Sequence, residues 1–364
     1  MAIMKISKRN QFFQEQLLGW NQQDNTRQMP WKGEKDPYKI WLSEIILQQT
    51  RVQQGLDYYN RFIAAFPTVH HLSNAPETTI FKLWEGLGYY TRCKNLIATA
   101  KFISQNLNGE FPDEYEEILN LKGIGPYTAA AIASFAFNLP YAVVDGNVFR
   151  VLARYFGIET ATDTTQGKLQ FTLLANDLLN KKQPGIYNQA LMDFGAVVCK
   201  PQLPLCIDCV LSTRCKAYKN DTVDRLPVKE KKIIKKARWF YYLVIEYNGK
   251  QYVRKRGAKD IWENLYEFVL IENEEALPLE KLRELQLVKE ILGSDNFEIE
   301  QISPLYKQLL THQTIQGQFI RIKITKQLTG KGYEAFTPAE IDKLPFPKFI
   351  AAYLKDKNVS LNLF

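Results

Sequence analysis

The sequence is poor in histidine and cysteine and contains no long apolar run. Its 364 residues include only three histidines and five cysteines, so few side chains can act as imidazole or thiolate ligands of a metal. No stretch of about 20 apolar residues is present, which excludes a conventional transmembrane helix. The first residues are basic but lack the apolar core of a secretory signal peptide. We therefore expect a soluble intracellular protein with a cytoplasmic location.

A surplus of positive charge is present, but it does not form a basic tail. The net charge is +8, and residues 1–220 and residues 221–364 each contribute +4. Such a surplus is compatible with a polyanionic partner, which would have to bind folded surfaces rather than one charged segment. The length favours two domains, and a hydrophobic fraction of 46% is sufficient for two packed cores.

The apolar pattern changes along the chain from the spacing of helices to the alternation of strands. It predicts a helical region over 1–220, a polar linker over 221–237 and a mixed α+β domain over 238–364. Predicted helices include Ile40–Gln54, Thr78–Leu87, Leu96–Leu107, Lys168–Asn180, Leu277–Leu292 and Pro338–Lys355. Predicted strands are Trp239–Tyr247, Gln251–Lys255 and Gln318–Leu328, with a hairpin turn at Asn248-Gly249.

Four of the five cysteines crowd into one short segment with the spacing C-x6-C-x2-C-x5-C. They are Cys199, Cys206, Cys209 and Cys215. Because disulfides are rare in intracellular proteins, this crowding predicts a metal site. Four thiolates suit either zinc or a [4Fe–4S] cluster. A structural zinc site usually contains two short C-x2-C pairs, and only one is present here.

A glycine-containing string, L-K-G-I-G-P-Y-T-A, occupies residues 121–129 between two helical stretches. Gly123 and Gly125 allow a tight turn and a close approach of the backbone to a ligand. Pro126 suits the first turn of the following helix, whose unpaired amides attract an anion such as a DNA phosphate. The full string resembles the helix–hairpin–helix of DNA-repair glycosylases, and this resemblance covers about residues 10–220.

The resemblance implies a mainly α catalytic region with an iron–sulfur loop. It also implies that Asp145, after the hairpin, is the superfamily's catalytic aspartate and that the four cysteines hold a [4Fe–4S] cluster. The endonuclease III branch has a nucleophilic lysine in the hairpin helix, where this sequence has Tyr127. The sequence resembles the MutY-type adenine glycosylases more closely. The shared strings are M-P-W at 29–31, D-P-Y-K-I-W-L-S-E at 36–44, L-Q-Q-T-R-V at 47–52, W-E-G-L-G-Y-Y at 84–90 and A-L-M-D-F-G at 190–195.

This second resemblance implies a monofunctional DNA glycosylase of base-excision repair, which removes adenine mispaired with 8-oxoguanine or guanine in duplex DNA. It implies that Glu44 protonates the adenine and that Asp145 stabilises an oxocarbenium-like sugar. Independently, breaking an N-glycosidic bond requires a proton donor and a nearby negative charge, which two carboxyl groups can supply. By resemblance, Tyr127 and Asn147 position these groups. By resemblance also, Arg27, Trp31, Leu47 and Gln189 line the adenine pocket, Gln49 and Tyr89 fill the space of the flipped base, and Thr50, Gly123 and Gly125 contact DNA.

Residues 238–364 resemble the Nudix-like C-terminal domain of the same family. The string W-E-N-L-Y-E-F at 262–268 is similar to its W-x-x-L-W-E-F, with Tyr266 in place of a tryptophan. The nearest approach to a Nudix metal box is Glu280–Leu285, which lacks the glutamate pair, so this domain is expected to bind rather than hydrolyse. The family's F-S-H lesion-contact string corresponds here to Leu310-Thr311-His312, which keeps a hydroxyl but loses the aromatic ring.

Three other functions compete with this interpretation. The first is a bifunctional lyase of the endonuclease III type, which Tyr127 argues against. The second is a non-catalytic iron–sulfur DNA-binding protein, which the retention of Glu44 and Asp145 argues against. The third is a Nudix pyrophosphatase, which the missing metal box argues against. A monomer is expected.

Overall fold

The computed structural model describes residues 8–230, 235–258, 261–282, 284–292, 297–328 and 332–356. The chain forms two compact units. The helical unit comprises residues 1–73 and 98–232, and the mixed unit comprises residues 74–97 and 233–364. The segment 74–97 therefore groups with the C-terminal part of the chain, although it precedes the predicted linker by more than 100 residues. The domain bounds predicted from the sequence, 1–220, 221–237 and 238–364, stay a prediction.

Helices α1 to α12 account for the regular structure up to residue 230. They are α1 Lys8–Gln23, α2 Pro37–Leu47, α3 Val52–Ala65, α4 Val69–Asn74, α5 Glu77–Trp84, α6 Thr91–Asn106, α7 Tyr115–Asn120, α8 Pro126–Phe135, α9 Gly146–Phe156, α10 Thr165–Leu178, α11 Pro184–Val197 and α12 Lys216–Lys219. Residues 8–230 contain no β-strand, and the predicted all-helical character of this region is confirmed. No helix within the described residues is long and apolar enough to cross a lipid bilayer.

The predicted helix Ile40–Gln54 is wrong in one respect, because the chain breaks between α2 and α3. Gln49 has a left-handed backbone with φ +57°, a conformation that no helix interior accommodates. The side chain of Gln48 donates from Nε2 to the hydroxyl of Thr128 on α8, over 3.1 Å. Apolar spacing continues through the break, so periodicity alone could not reveal it.

Helix α9 lies at the centre of the helical unit's core. Its apolar face packs with α1, α10 and α11 in one buried cluster. Close approach to α11 is possible because residue 195 is glycine: a Cβ there would come within 2.6 Å of the Cβ of Asn147. The N-terminus of α9, where Asp145 lies, is therefore held rigidly against α11.

The mixed unit contains an eight-stranded sheet with helices against it. Its strands are β1 Lys236–Tyr247, β2 Lys250–Lys255, β3 Tyr266–Glu267, β4 Val269–Asn273, β5 Phe297–Ile302, β6 Tyr306–Leu309, β7 Gln313–Ile324 and β8 Glu334–Phe336. The two long strands β1 and β7 pair in parallel, and every other pair is antiparallel. Asn248 and Gly249 both have positive φ, which confirms the predicted turn between β1 and β2.

The remaining helices of the mixed unit are shorter than the sequence pattern predicts. They are α13 Leu279–Leu282, α14 Gln286–Leu292, α15 Pro338–Ile341 and α16 Lys348–Leu354. The predicted helix Pro338–Lys355 is interrupted at Pro345-Phe346-Pro347, since proline lacks the amide donor and disfavours a helical residue before it. The carbonyl of Pro345 instead accepts from the backbone amide of Tyr266.

Within the mixed unit, lysine side chains of segment 74–97 contact residues of the C-terminal part of the chain. Lys94 forms an ion pair with Glu263 over 2.6 Å, and Lys82 donates to the carbonyl of Leu344 over 2.9 Å. These contacts join residues far apart in sequence, so local pattern could not reveal them.

Candidate active site

A cavity of about 610 Å³ in the helical unit brings together most of the residues singled out by sequence. Eleven predicted site residues line it: Arg27, Trp31, Glu44, Leu47, Gln49, Thr50, Gly125, Tyr127, Asp145, Asn147 and Gln189. They come from five separate stretches of the chain. Gly123 is not among the lining residues, and Tyr89, Thr311 and His312 belong to the mixed unit.

Glu44 is a buried carboxyl group on α2. Asp36 caps this helix by accepting from the amide of Tyr38, and the helix is apolar on nearly all sides, so Glu44 is only 6% exposed. Burial raises its pKa from an ordinary 4.5 to about 7, since an ionised carboxylate is poorly solvated there. A hydrogen bond with Tyr127 works against this rise, and the charge of Asp145 reinforces it. Glu44 is thus able to hold a proton near neutral pH.

Asp145 is the N-cap of α9, and its carboxylate accepts two hydrogen bonds. One oxygen accepts from the backbone amide of Val148 at 2.8 Å, and the other accepts from the side-chain amide of Asn147 at 2.6 Å. Burial raises the pKa of Asp145, while these hydrogen bonds and the charge of Arg150 lower it. The carboxylate is therefore fixed in orientation and faces the same cavity as Glu44.

Tyr127 enters the cavity from the first turn of α8, directly after the glycine hairpin. Gly123 has φ +79°, a conformation that glycine adopts without strain, and Pro126 is the first residue of the helix. Burial, together with the charges of Glu44 and Asp145, raises the pKa of Tyr127 far above its usual range. The phenol is consequently neutral and can donate a hydrogen bond.

A buried arginine connects the site to the cysteine segment. Arg150 donates to the side-chain oxygen of Asn147 at 2.8 Å, to the carbonyl of Gly195 at 2.6 Å and to the carbonyl of Cys199 at 2.7 Å. Asn147 in turn donates to Asp145. Arg150 was not predicted from the sequence, although a basic residue one turn after Asn147 on an otherwise apolar helix face is a signal for such a role.

A second residue that sequence analysis missed is Asp193 on α11. Its side chain is fully buried and accepts from Arg27 at 2.7 Å and from Gln189 at 2.9 Å, both of which line the cavity. Lys32 forms a second ion pair with Asp193 over 3.1 Å. A carboxylate inside the apolar string A-L-M-D-F-G was the available signal, since buried charge requires partners.

The four crowded cysteines line one separate cavity of the helical unit, together with Arg154. All five cysteines lie within the described residues, and none forms a disulfide. Among the described residues, no three cysteine, histidine or carboxylate side chains are close enough to hold one metal ion. Four thiols that line one cavity supply the soft donor set taken by zinc or by an iron–sulfur cluster. Cys93 lies elsewhere and is completely buried.

In the mixed unit, two residues predicted to contact DNA meet directly. The hydroxyls of Tyr89 and Thr311 are 2.8 Å apart and share a hydrogen bond. Tyr89 has φ +49° and is 45% exposed, and the guanidinium of Arg92 lies over its ring. Thr311 and His312 form the turn between β6 and β7, with His312 exposed. The sequence placed these residues in two predicted regions, and only the fold of the mixed unit joins them.

Comparison with known proteins covers both parts of the chain. The family model described as "HhH-GPD superfamily base excision DNA repair protein" matches residues 42–174, and the NUDIX domain model matches residues 240–356. A protein named adenine DNA glycosylase from Buchnera aphidicola subsp. Baizongia pistaciae is 36% identical over 318 residues, which cover 86% of this chain and 87% of the relative. The chain belongs to the adenine DNA glycosylase family.

A second relative agrees with this membership, and one solved structure is similar over part of the chain. The adenine DNA glycosylase of Buchnera aphidicola subsp. Schizaphis graminum is 36% identical over 70% of this chain and 74% of its own length. The solved structure of a thermostable thymine-DNA glycosylase is 30% identical, with a TM-score of 0.54, over 58% of this chain and 98% of that chain. The predicted enzyme class, the helical glycosylase fold and the Nudix-like domain are all confirmed.

Proposed function

We propose that this glycosylase hydrolyses the N-glycosidic bond of adenine mispaired with 8-oxoguanine or guanine in duplex DNA. The observation that carries the proposal is the pair of buried carboxyl groups, Glu44 and Asp145, lining one cavity. Burial raises the pKa of both, and that of Glu44 reaches about 7. One acid that keeps its proton beside one hydrogen-bonded carboxylate is the pairing that glycoside cleavage requires.

In this mechanism Glu44 donates its proton to a ring nitrogen of adenine, so that the base departs as a neutral leaving group. The C–N bond breaks, and positive charge develops on the sugar. Asp145 stabilises this charge electrostatically, and Asn147 holds the carboxylate in place. A water oxygen then bonds to the sugar carbon and releases a proton. Tyr127 orients Glu44 through their hydrogen bond.

Access to this cavity requires the adenine to leave the helical stack. A mispaired base is unstacked at lower cost than a paired one, which favours mispairs as substrates. Gln49 and Tyr89 would fill the vacated space, and the left-handed backbone of each presents its side chain at a sharp bend. The backbone amides around Gly123 and Gly125, with Thr50, would contact the DNA phosphates. Because the substrate is DNA, we place the enzyme inside the cell.

The decisive assay compares duplexes that contain 8-oxoguanine:adenine, guanine:adenine and thymine glycol. We expect abasic product from the two adenine duplexes, without strand nicking, and no product from thymine glycol. Borohydride should trap no lysine–DNA adduct, since a tyrosine stands at the position of the lyase lysine. Efficient trapping at one essential lysine would contradict the monofunctional mechanism.

We also propose that Cys199, Cys206, Cys209 and Cys215 hold a [4Fe–4S] cluster. When bound, the cluster would cross-link the segment that follows α11 and would break no bond. Cys199→Ser is expected to lower the iron and sulfide content of the purified protein and its visible absorbance. Cys93→Ala is the matched control, because Cys93 lies outside the cysteine cavity. Unchanged iron content in Cys199→Ser would contradict the assignment.

The Nudix-like domain is proposed to recognise 8-oxoguanine through Thr311 and His312. Replacing both with alanine should reduce the preference for 8-oxoguanine:adenine over guanine:adenine about tenfold, the value of roughly one lost hydrogen bond. The rate on guanine:adenine should change little. The measurement is the ratio of single-turnover rates on the two duplexes, and an unchanged ratio would refute the role of this turn.

A further inference from the structure

We propose that Asp193 is a positioning residue that sets the base specificity of the cavity by fixing the amide of Gln189. This inference rests on the proposed function and adds a specificity determinant to it. Asp193 is 0% exposed, accepts three hydrogen bonds and forms ion pairs with two cations. One oxygen accepts from Arg27 and Gln189, and the other accepts from Asn25 at 3.0 Å and forms an ion pair with Lys32 at 3.1 Å.

Two cations form ion pairs with the buried carboxylate of Asp193. Arg27 and Lys32 are two cations in direct contact with a fully buried acid, and such an acid is tolerated inside a protein only when it is paired and hydrogen-bonded. Lys32 also donates to the backbone carbonyl of Arg27 at 2.8 Å, and Asn25 accepts from the amide of Arg27 at 3.1 Å. The loop that carries Arg27 is thereby anchored to the same carboxylate.

An ionised carboxylate accepts hydrogen bonds and cannot donate them. Gln189 must therefore turn its NH2 group toward Asp193, and it does so over 2.9 Å. This orientation directs the carbonyl oxygen of Gln189 away from Asp193. Within the described part of the chain, that oxygen has no hydrogen-bond donor of its own. Gln189 lines the cavity as an acceptor, and Arg27 lines it as a donor.

An acceptor beside a donor matches adenine and opposes guanine. Adenine presents an amino group at C6 next to the acceptor N7, whereas guanine presents an oxygen at C6 next to the same acceptor. The Gln189 carbonyl would accept from the adenine amino group but repel the guanine oxygen. If the amide could rotate, its NH2 group would serve a 6-oxo purine equally well. Asp193 prevents that rotation, so it determines which purine is excised.

The test measures excision of adenine and of hypoxanthine, which carries oxygen instead of the amino group, opposite guanine in otherwise identical duplexes. Asp193→Asn keeps the shape of the side chain but can both donate and accept, so it no longer dictates the orientation of Gln189. We expect the ratio of kcat/KM values for adenine over hypoxanthine to fall at least about tenfold relative to wild type. Equal losses on both bases would indicate a merely structural role and would overturn the inference.

Two further variants keep the test interpretable. Asp177→Asn, the same exchange at an exposed residue of α10 outside the cavity, is the matched control and should leave the selectivity ratio near the wild-type value. Gln189→Leu removes the amide, so it should lower the ratio as Asp193→Asn does, and the double variant should show no further loss. If Asp193→Asn does not fold, a wild-type ratio in Gln189→Leu overturns the inference. A wild type that does not excise adenine would overturn both the proposed function and this inference. An active wild type, with an unchanged adenine-over-hypoxanthine ratio in Asp193→Asn, would overturn this inference alone.

Discussion

Replacing Glu44 by glutamine is expected to slow adenine excision by about 10²–10⁴-fold, the usual contribution of general acid catalysis, while leaving duplex binding intact. Glutamine has nearly the same shape and can still accept from Tyr127, but it has no acidic proton to give to the base. The measurement is the single-turnover rate on an 8-oxoguanine:adenine duplex, with affinity measured in parallel. Near-normal turnover would exclude Glu44 as the acid.

The pH dependence of the wild-type excision rate is a second test of Glu44. Only protonated Glu44 can donate, so the excision rate should fall about tenfold per pH unit above its pKa of about 7. On the acidic side the rate should fall as Asp145 takes up a proton, at a higher pH than an ordinary aspartate because burial raises its pKa. Glu110→Gln, an exposed change of the same type, is the matched control and should keep the wild-type profile.

Glu44→Gln should also change the free energy of unfolding in a pH-dependent way. The pKa of Glu44 is 4.5 when solvated and about 7 in the folded protein, so the folded state binds its proton more tightly. The associated stability is fully present below pH 4.5 and is lost as pH rises through 7. Glutamine does not titrate, so between pH 4.5 and pH 8 the variant should gain about 3 kcal/mol relative to wild type, at about 1.4 kcal/mol per pKa unit. Denaturant unfolding at the two pH values measures this difference, and a constant difference would show that Glu44 is not held protonated.

Replacing Asp145 by asparagine is expected to slow excision by about 10²–10³-fold, the usual effect of removing one preorganised electrostatic group. The reason is loss of the negative charge that faces the forming sugar cation. Asparagine is also a good N-cap and can still accept from the amide of Val148, so α9 and the fold should persist. Single-turnover rates and the helical circular dichroism signal separate catalysis from folding.

The control for Asp145→Asn is the same exchange at Asp113, an exposed residue outside the cavity. It should leave the excision rate unchanged. A further comparison uses Arg150→Met, which removes the donor that orients Asn147 but leaves both carboxyl groups in place. We expect its rate to lie between those of wild type and Asp145→Asn. If Asp145→Asn retained wild-type activity, the sugar cation would need a different counter-charge.

The sequence was sufficient to identify the family and the two fold classes, and it predicted two catalytic carboxyl groups that the structure places in one cavity. Long strings such as D-P-Y-K-I-W-L-S-E carry this information because each string combines a helix start, a buried face and a functional side chain. The turn at Asn248-Gly249 was equally predictable, since few residues adopt left-handed backbone conformations without strain. The break after Leu47 was not predictable, because the apolar spacing continues across it while Gln48 pairs with a residue 80 positions away.

By itself, the sequence determined which chemical groups are available: two carboxyl groups, a tyrosine in place of a lysine, and four cysteines in one short segment. Only the tertiary structure decided how those groups behave. Burial among distant helices gives Glu44 a pKa of about 7, and the carboxylate of Asp193 sets the direction of the Gln189 amide. The physical reason is that desolvation and hydrogen-bond direction depend on atoms from several chain segments, which meet only in the folded protein.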